Sequence, residues 1–273
     1  MISHFPEAFR SEIIAVGIDE AGRGPVLGPM VYTAAFCPLS KTESLKKDLK
    51  VADSKQLTEQ SRESIFEASP QFIGWSSSIL SAAYISNKML QPCKYNLNSI
   101  SHETAASLIT SIQAQGYKIG HVAVDTVGDP VKYQKWLSAK FPSIGSVVVE
   151  CKADSKFPIV SAASIVAKVT RDRVLRDWTF VEQQRAAELN VNLQFERNFG
   201  SGYPGDPATK DWLTKHFDKV FGFPTLIRFS WSTCQRILEK DAVQVKWGTE
   251  GTGKKRKLDQ REGTFMQQKG MLN

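Results

Sequence analysis

Four acidic residues stand where apolar runs give way to loops: Asp19 and Glu20 after IIAVGI, Asp125 after HVAV, and Asp154 just past VVVEC. In open α/β sheets, sites form at strand ends, because loops there carry polar groups without disturbing the core. Four carboxylates within about 4 Å of one another would repel by roughly 4 kcal/mol per pair at an effective dielectric of about 20. Divalent cations resolve that repulsion. Four carboxylates match the formal charge of two divalent ions, and an all-oxygen ligand set without Cys or His suits Mg²⁺ or Mn²⁺ rather than zinc. Two such ions can activate water and stabilise a leaving oxygen in phosphodiester cleavage. Read singly, each acidic residue is also an ordinary turn former or helix cap. Asp19 and Glu20 pose a geometric problem as well, since neighbours on a strand point to opposite faces. The strand must therefore end or twist there, and Gly22 and Gly24 immediately afterwards make such a break easy.

The elements that must position these residues are legible in outline. EIIAVGIDE and MVYTAAF read as two strands joined by the glycine-rich AGRGPVLGP turn, and QFIGWSSSIL offers a third strand. Between them lies a polar, Lys-rich stretch at 40–62. Ala105, Leu108, Ile109 and Ile112 recur at helical spacing and predict a helix over about 99–115. HVAVD and SVVVEC, separated by the helix-forming VKYQKWLSAKF, predict a βαβ unit. After Pro158, Ala162, Ile165, Val166 and Val169 mark one face of a further helix whose start Ser161 can cap. Lys168 and Arg171 lie elsewhere on that helix, either near phosphate or on a solvated face. A polar helical stretch follows, then an irregular GSGYPGDP turn and short helices near 211–217 and 233–242. Antiparallel strands followed by a parallel βαβ unit imply an α/β domain with a mixed central sheet flanked by helices, plus a helical C-terminal extension.

The chain has 273 residues, 41% of them hydrophobic, with 35 Lys and Arg against 28 Asp and Glu. These are globular proportions. Residues 246–273 hold seven Lys and Arg against three Asp and Glu, so this short end supplies +4 of the formal +7. The remaining +3 is too little for a protein coated in charge, and a nucleic-acid site in the body must be local. No stretch approaches the roughly 18 apolar residues of a membrane span, and Glu7 and Glu12 stand where a secretory signal would carry Lys or Arg. The expectation is an intracellular protein without a membrane partner. Four scattered Cys and four scattered His encode neither a disulfide frame nor a zinc site.

GIDEAGRGPVLGPM at 17–30 resembles the signature of the type 2 ribonucleases H. The resemblance continues through VADSK at 51–55, KYNLNS at 94–99, VDTVGDP at 124–130, CKADSKFPIVSAASIVAKVTRD at 151–172 and GSGYPGDP at 200–207. It covers 13–244, expected to form one catalytic domain, and leaves 245–273 as a basic tail. KYNLNSISHETA and FGFPTLIRFSW are similar to the eukaryotic branch of that family, in its catalytic A-subunit.

The resemblance implies an RNase H-like fold and metal-dependent cleavage of RNA in RNA/DNA hybrids and at single ribonucleotides in duplex DNA. It assigns Asp19, Glu20, Asp125 and Asp154 as catalytic ligands of two Mg²⁺ or Mn²⁺ ions. Gly22, Arg23 and Gly24 correspond to a ribose-sensing loop, since glycines let backbone groups approach a 2′-hydroxyl closely. Tyr203 matches a tyrosine that packs on the sugar at the RNA-to-DNA junction, and Lys55 and Asn96 match positions near substrate phosphates. The family works with two accessory subunits, B and C, and in the nucleus. The GKKRK cluster at 253–257 reads as an import signal, a nonspecific nucleic-acid arm or a solubilising end. Two literal motif matches fail. GSGYPG at 200–205 lacks a preceding strand, and GTEGTGKK at 248–255 has Lys255 where a P-loop needs Ser or Thr.

Overall fold

The computed structural model describes residues 2–49, 57–91 and 95–244. Lys55, the 248–255 motif and the basic tail therefore lie outside the described residues. Six strands form one sheet: β1 (Ile2–His4), β2 (Ile13–Ala21), β3 (Met30–Pro38), β4 (Gly74–Leu80), β5 (Lys118–Asp125) and β6 (Ser146–Glu150). Their order is β1-β4-β3-β2-β5-β6. The β1 to β2 half is antiparallel, whereas β5 and β6 run parallel to β2. The sheet is mixed, as the sequence predicts. The helices are α1 (Leu45–Asp48), α2 (Glu59–Ala68), α3 (Ala82–Met89), α4 (Leu97–Ala114), α5 (Pro130–Lys140), α6 (Ala153–Lys156), α7 (Pro158–Arg176), α8 (Val181–Glu188), α9 (Pro207–Lys215) and α10 (Ser232–Asp241).

Both sheet faces are covered. On one side Ile14, Val16 and Ile18 of β2 pack with Leu108, Ile109 and Ile112 of α4 and with Tyr133 and Leu137 of α5. On the other, Ile159, Ala162, Ile165, Val166 and Val169 of α7 pack over Ala35 and Ala123. Each fully buried Ile, Val or Leu contributes about 1.5–3 kcal/mol of transfer free energy. The predicted helix faces are thus the buried ones. Residues of the C-terminal extension build a separate cluster around Trp212, Leu213, Leu226 and Ile227, which reaches Val26 and Leu27 after β2.

Helix starts follow local chemistry. Asn96 caps α4, its side chain accepting from Ser99 N at 3.0 Å. Asp129 and Asp206 cap α5 and α9, each with Pro in the first turn. The expected Ser161 cap of α7 is wrong. Pro158 starts that helix three residues earlier after Phe157, no side chain caps it, and Ser161 is buried inside it. At Gly17 the carbonyl carbon of Ile159 would lie 2.4 Å from an added Cβ. Only glycine lets α7 begin in contact with β2. Among the described residues, no helix is long and apolar enough to cross a membrane.

Candidate active site

The adjacency of Asp19 and Glu20 is solved without the break expected from the sequence. β2 continues through Ala21 and stays paired with β3, with Asp19 opposite Thr33 and Glu20 opposite Tyr32. What ends is the other pairing, because the last register between β2 and β5 is Ile18 with Val124. Beyond that point β2 has an open side, and both carboxylates reach it while facing different layers. Asp19 meets α7, where the Ser164 hydroxyl bonds its carboxylate, and it also accepts from Glu20 N at 2.7 Å. Glu20 meets Tyr32 and lies near Arg23.

The other two carboxylates are linked through backbone. Asp125 ends β5, and its Oδ1 accepts from Ala153 N at 2.8 Å. That bond holds the start of α6, so Asp154, the next residue, is buried beside it. Lys152 makes the sharp entry with φ of 55°.

An open cavity of about 400 Å³ is lined by all four carboxylates together with Gly22, Arg23, Gly24 and Tyr203. Burial raises the pKa of Asp19, with the charge of Asp125 adding to it, while Ser164, Glu20 N and Lys168 work against it. Burial likewise raises Glu20, and Asp19 adds to it. The Glu20 Oε2 atom is buried and lacks a hydrogen-bond partner. An anionic cluster with an orphaned buried oxygen fits a bound cation, which would reverse each of these penalties. Among the described residues, no three Asp, Glu, His or Cys side chains already close around a common point as a metal cage; the carboxylates flank a shared cavity.

The glycine loop is held from behind. The fully buried Arg228 donates from Nε to Gly28 O at 2.9 Å, from Nη1 to Arg23 O at 3.0 Å and from Nη2 to Gly22 O at 2.6 Å. Trp231 Nε1 donates to Gly24 O at 3.1 Å, and the Arg228 guanidinium stacks 4.8 Å from its ring centroid. Val26 N donates to Gly202 O at 2.8 Å, which brings the GSGYP turn alongside. Half-exposed Tyr203 then lies over Gly24, where a Cβ would stand 2.9 Å from its ring. Gly22 has φ of 77° and abuts Arg171. Arg171 bonds the carbonyls of Pro29 and Leu27, so it braces the loop from a largely buried position.

Asn96 does not line the cavity; its side chain serves the α4 cap. Further along, Asn98 and Ser101 accept from the Arg23 guanidinium. Sequence reasoning missed Asn98, Ser101, Ser164 and Arg228. Lys168 and Arg62 also face the cavity, Arg62 paired with Asp172 at 3.4 Å. For Ser164 and Lys168 a signal existed: they sit at i and i+4 on α7, on the face that also carries Arg171.

Residues 16–234 match the family model Ribonuclease HII. The ribonuclease H2 A-subunit of Rattus norvegicus is 53% identical over 248 residues, covering 90% of this chain and 79% of the relative. The A-subunit of Arabidopsis thaliana is 51% identical over 239 residues, covering 87% and 77%. The crystal structure of the ribonuclease H2 from Pyrococcus horikoshii OT3 superposes with a TM-score of 0.67 at 33% identity, covering 83% of this chain and 98% of that one. With the family matched over most of its length and its signature loop folded against four carboxylates, the chain belongs to the ribonuclease HII family.

Proposed function

We propose that this chain is the catalytic subunit of a ribonuclease H2, a hydrolase that cuts RNA in RNA/DNA hybrids and cuts 5′ of single ribonucleotides embedded in duplex DNA. The observation that carries the reading is one cavity lined by both a carboxylate cluster and the glycine loop with Tyr203. A nuclease without sugar selectivity needs only the first.

Asp19, Glu20, Asp125 and Asp154 are the residues that would hold divalent cations, two Mg²⁺ or Mn²⁺ in this reading. Bound there, the ions supply a lowered water pKa and stabilise charge on the leaving oxygen. The protein's own contributions are positional. Ala153 N holds Asp125, Ser164 holds Asp19, and Lys168 places a cation on the α7 side of the cavity. The loop at 22–24 is fixed by Arg228 and Trp231 before substrate arrives, so recognition of a 2′-hydroxyl needs little loop ordering. Tyr203 offers a flat face and a hydroxyl to the adjoining sugar. Removal of ribonucleotides from DNA and of primer RNA at Okazaki fragments are the processes such cleavage serves. Assembly with two accessory subunits, B and C, and nuclear localisation belong to the same proposal; the A-subunit designation of the relatives supports an assembly of more than one subunit.

The test is Asp125→Asn against the unmodified chain, each assembled with the accessory subunits, on duplex DNA containing one ribonucleotide, in Mg²⁺ and in EDTA. Both the substitution and EDTA should reduce cleavage beyond the roughly 10–100-fold typical of losing a group behind a metal ligand. Cleavage that persists in either refutes the metal assignment. Equal cutting of an all-DNA duplex refutes the 2′-hydroxyl reading instead.

A further inference from the structure

Behind Glu20 meet three buried oxygen atoms, Glu20 Oε2 and the hydroxyls of Tyr32 and Tyr133, none of which closes a hydrogen bond of ordinary geometry, although the Tyr32 hydroxyl lies beside both the Glu20 carboxylate and the Ser101 hydroxyl. They come from three places in the sequence and meet in one. Tyr32 is the direct cross-strand partner of Glu20 between β3 and β2, a pairing that puts side chains on the same face. Tyr133 rises from α5 on that face, packed in the same core as Tyr32 and close enough to Glu20 to feel its charge. Both tyrosines are almost wholly buried, at 2% and 1% exposure.

The three orphans are complementary. Each tyrosine has an O–H to donate, and the carboxylate oxygen can only accept. Ser101 also lies against the Tyr32 hydroxyl, but it is already engaged twice. The Ser101 hydroxyl donates to Leu97 O at 2.8 Å and accepts from Arg23 Nη1 at 2.6 Å, while Arg23 Nη2 is held by Asn98. His102 stacks on the Tyr133 ring with centroids 3.7 Å apart and is itself fixed on Val127 O at 3.2 Å. The Tyr133 ring is therefore braced in place. Buried polar groups persist where a partner is available, and Glu20 is the acceptor with an open position.

From this we infer that Tyr32 and Tyr133 are positioning residues for Glu20, holding one carboxylate oxygen from behind so that the other is presented to the cavity. The inference rests on the reading of Glu20 as a metal ligand, and it assigns these tyrosines the part that hydrogen-bonding partners play behind ligands at metal sites generally. Because Arg23 lies beside the same carboxylate, the arrangement also places the sugar-sensing loop and a metal ligand in contact with one set of side chains.

The test uses the full chain and Mn²⁺ alone, with affinity measured by calorimetry and folding monitored by circular dichroism. Tyr32→Phe and Tyr133→Phe keep the rings and their packing. Each should weaken Mn²⁺ binding about tenfold, and in the assembled enzyme each should lower kcat while leaving KM for a hybrid substrate within about twofold. Added to Glu20→Gln, either substitution should change Mn²⁺ affinity less than twofold, because its effect passes through Glu20. Unchanged affinity in both tyrosine variants overturns the inference, as does the same tenfold loss in the Glu20→Gln background. Unchanged affinity in Glu20→Gln itself would overturn the ligand reading beneath it, so the two failures are separable.

Discussion

Asp19 and Glu20 are held in the folded chain with their pKa values raised, chiefly by burial and secondly by neighbouring carboxylate charge. In the unfolded chain they would titrate near 3.8 and 4.5. Above that range and up to the raised folded values, the folded state binds more protons than the unfolded one, so stability falls as pH rises. Glu20→Gln removes the Glu20 share of this cost. In EDTA at pH 8 it should melt above the unmodified chain by about 0.5–2 kcal/mol, the usual yield of relieving a strained functional site, and the gain should shrink toward pH 4. A lower melting temperature at pH 8 would show instead that ionised Glu20 stabilises the fold. The acidic residues were legible because each follows an apolar run. Asn98 was not, because two asparagines in KYNLNS look alike until the helix starts. The first becomes its cap and the second turns to Arg23.

At the scale of elements, the site depends on how closely α7 lies on β2. Gly17, with Ala35 and Ala123 on the flanking strands, gives the helix a flat floor, and Ser164 and Lys168 reach Asp19 only from that height. Gly17→Val would drive a branched side chain into the Ile159 carbonyl. A destabilisation of about 1–3 kcal/mol is expected from overpacking alone, visible as a lower denaturation midpoint, with weaker Mn²⁺ binding as α7 lifts. A variant that melts normally and binds Mn²⁺ normally would show that the contact is not required. Helical periodicity makes the buried faces of α4 and α7 readable in the amino-acid sequence alone. It does not reveal α2, which buries no residue, or α3, which buries only Ala82, Ile85 and Ser86, and the expected cap at Ser161 fails because Pro158 starts the helix first.

For the whole molecule, the C-terminal extension completes the site rather than trailing from it. Its apolar cluster includes Val26 and Leu27, and from it Arg228 reaches back some 200 residues in sequence to three carbonyls of the glycine loop. Nothing in the local sequence around Arg228 marks that destination, since the partners are backbone atoms and the contact exists only once both halves have folded. Burial and the adjacent Arg171 lower the pKa of Arg228, a cost its carbonyl bonds offset. Arg228→Lys keeps the charge but loses the fork that meets separate acceptors at once. It should cost about 3 kcal/mol, roughly two charge-assisted hydrogen bonds, read as a shift in denaturation midpoint. Its particular signature is local: amide exchange at 22–30 should quicken more than at the centres of β3 and β4, because the loop loses its anchor while the sheet keeps its ladder. Uniform quickening across the chain would mean that Arg228 supports only global stability. Loop-confined quickening, with ribonucleotide cleavage lost while Mn²⁺ still binds, would locate its role between the C-terminal extension and recognition of the sugar.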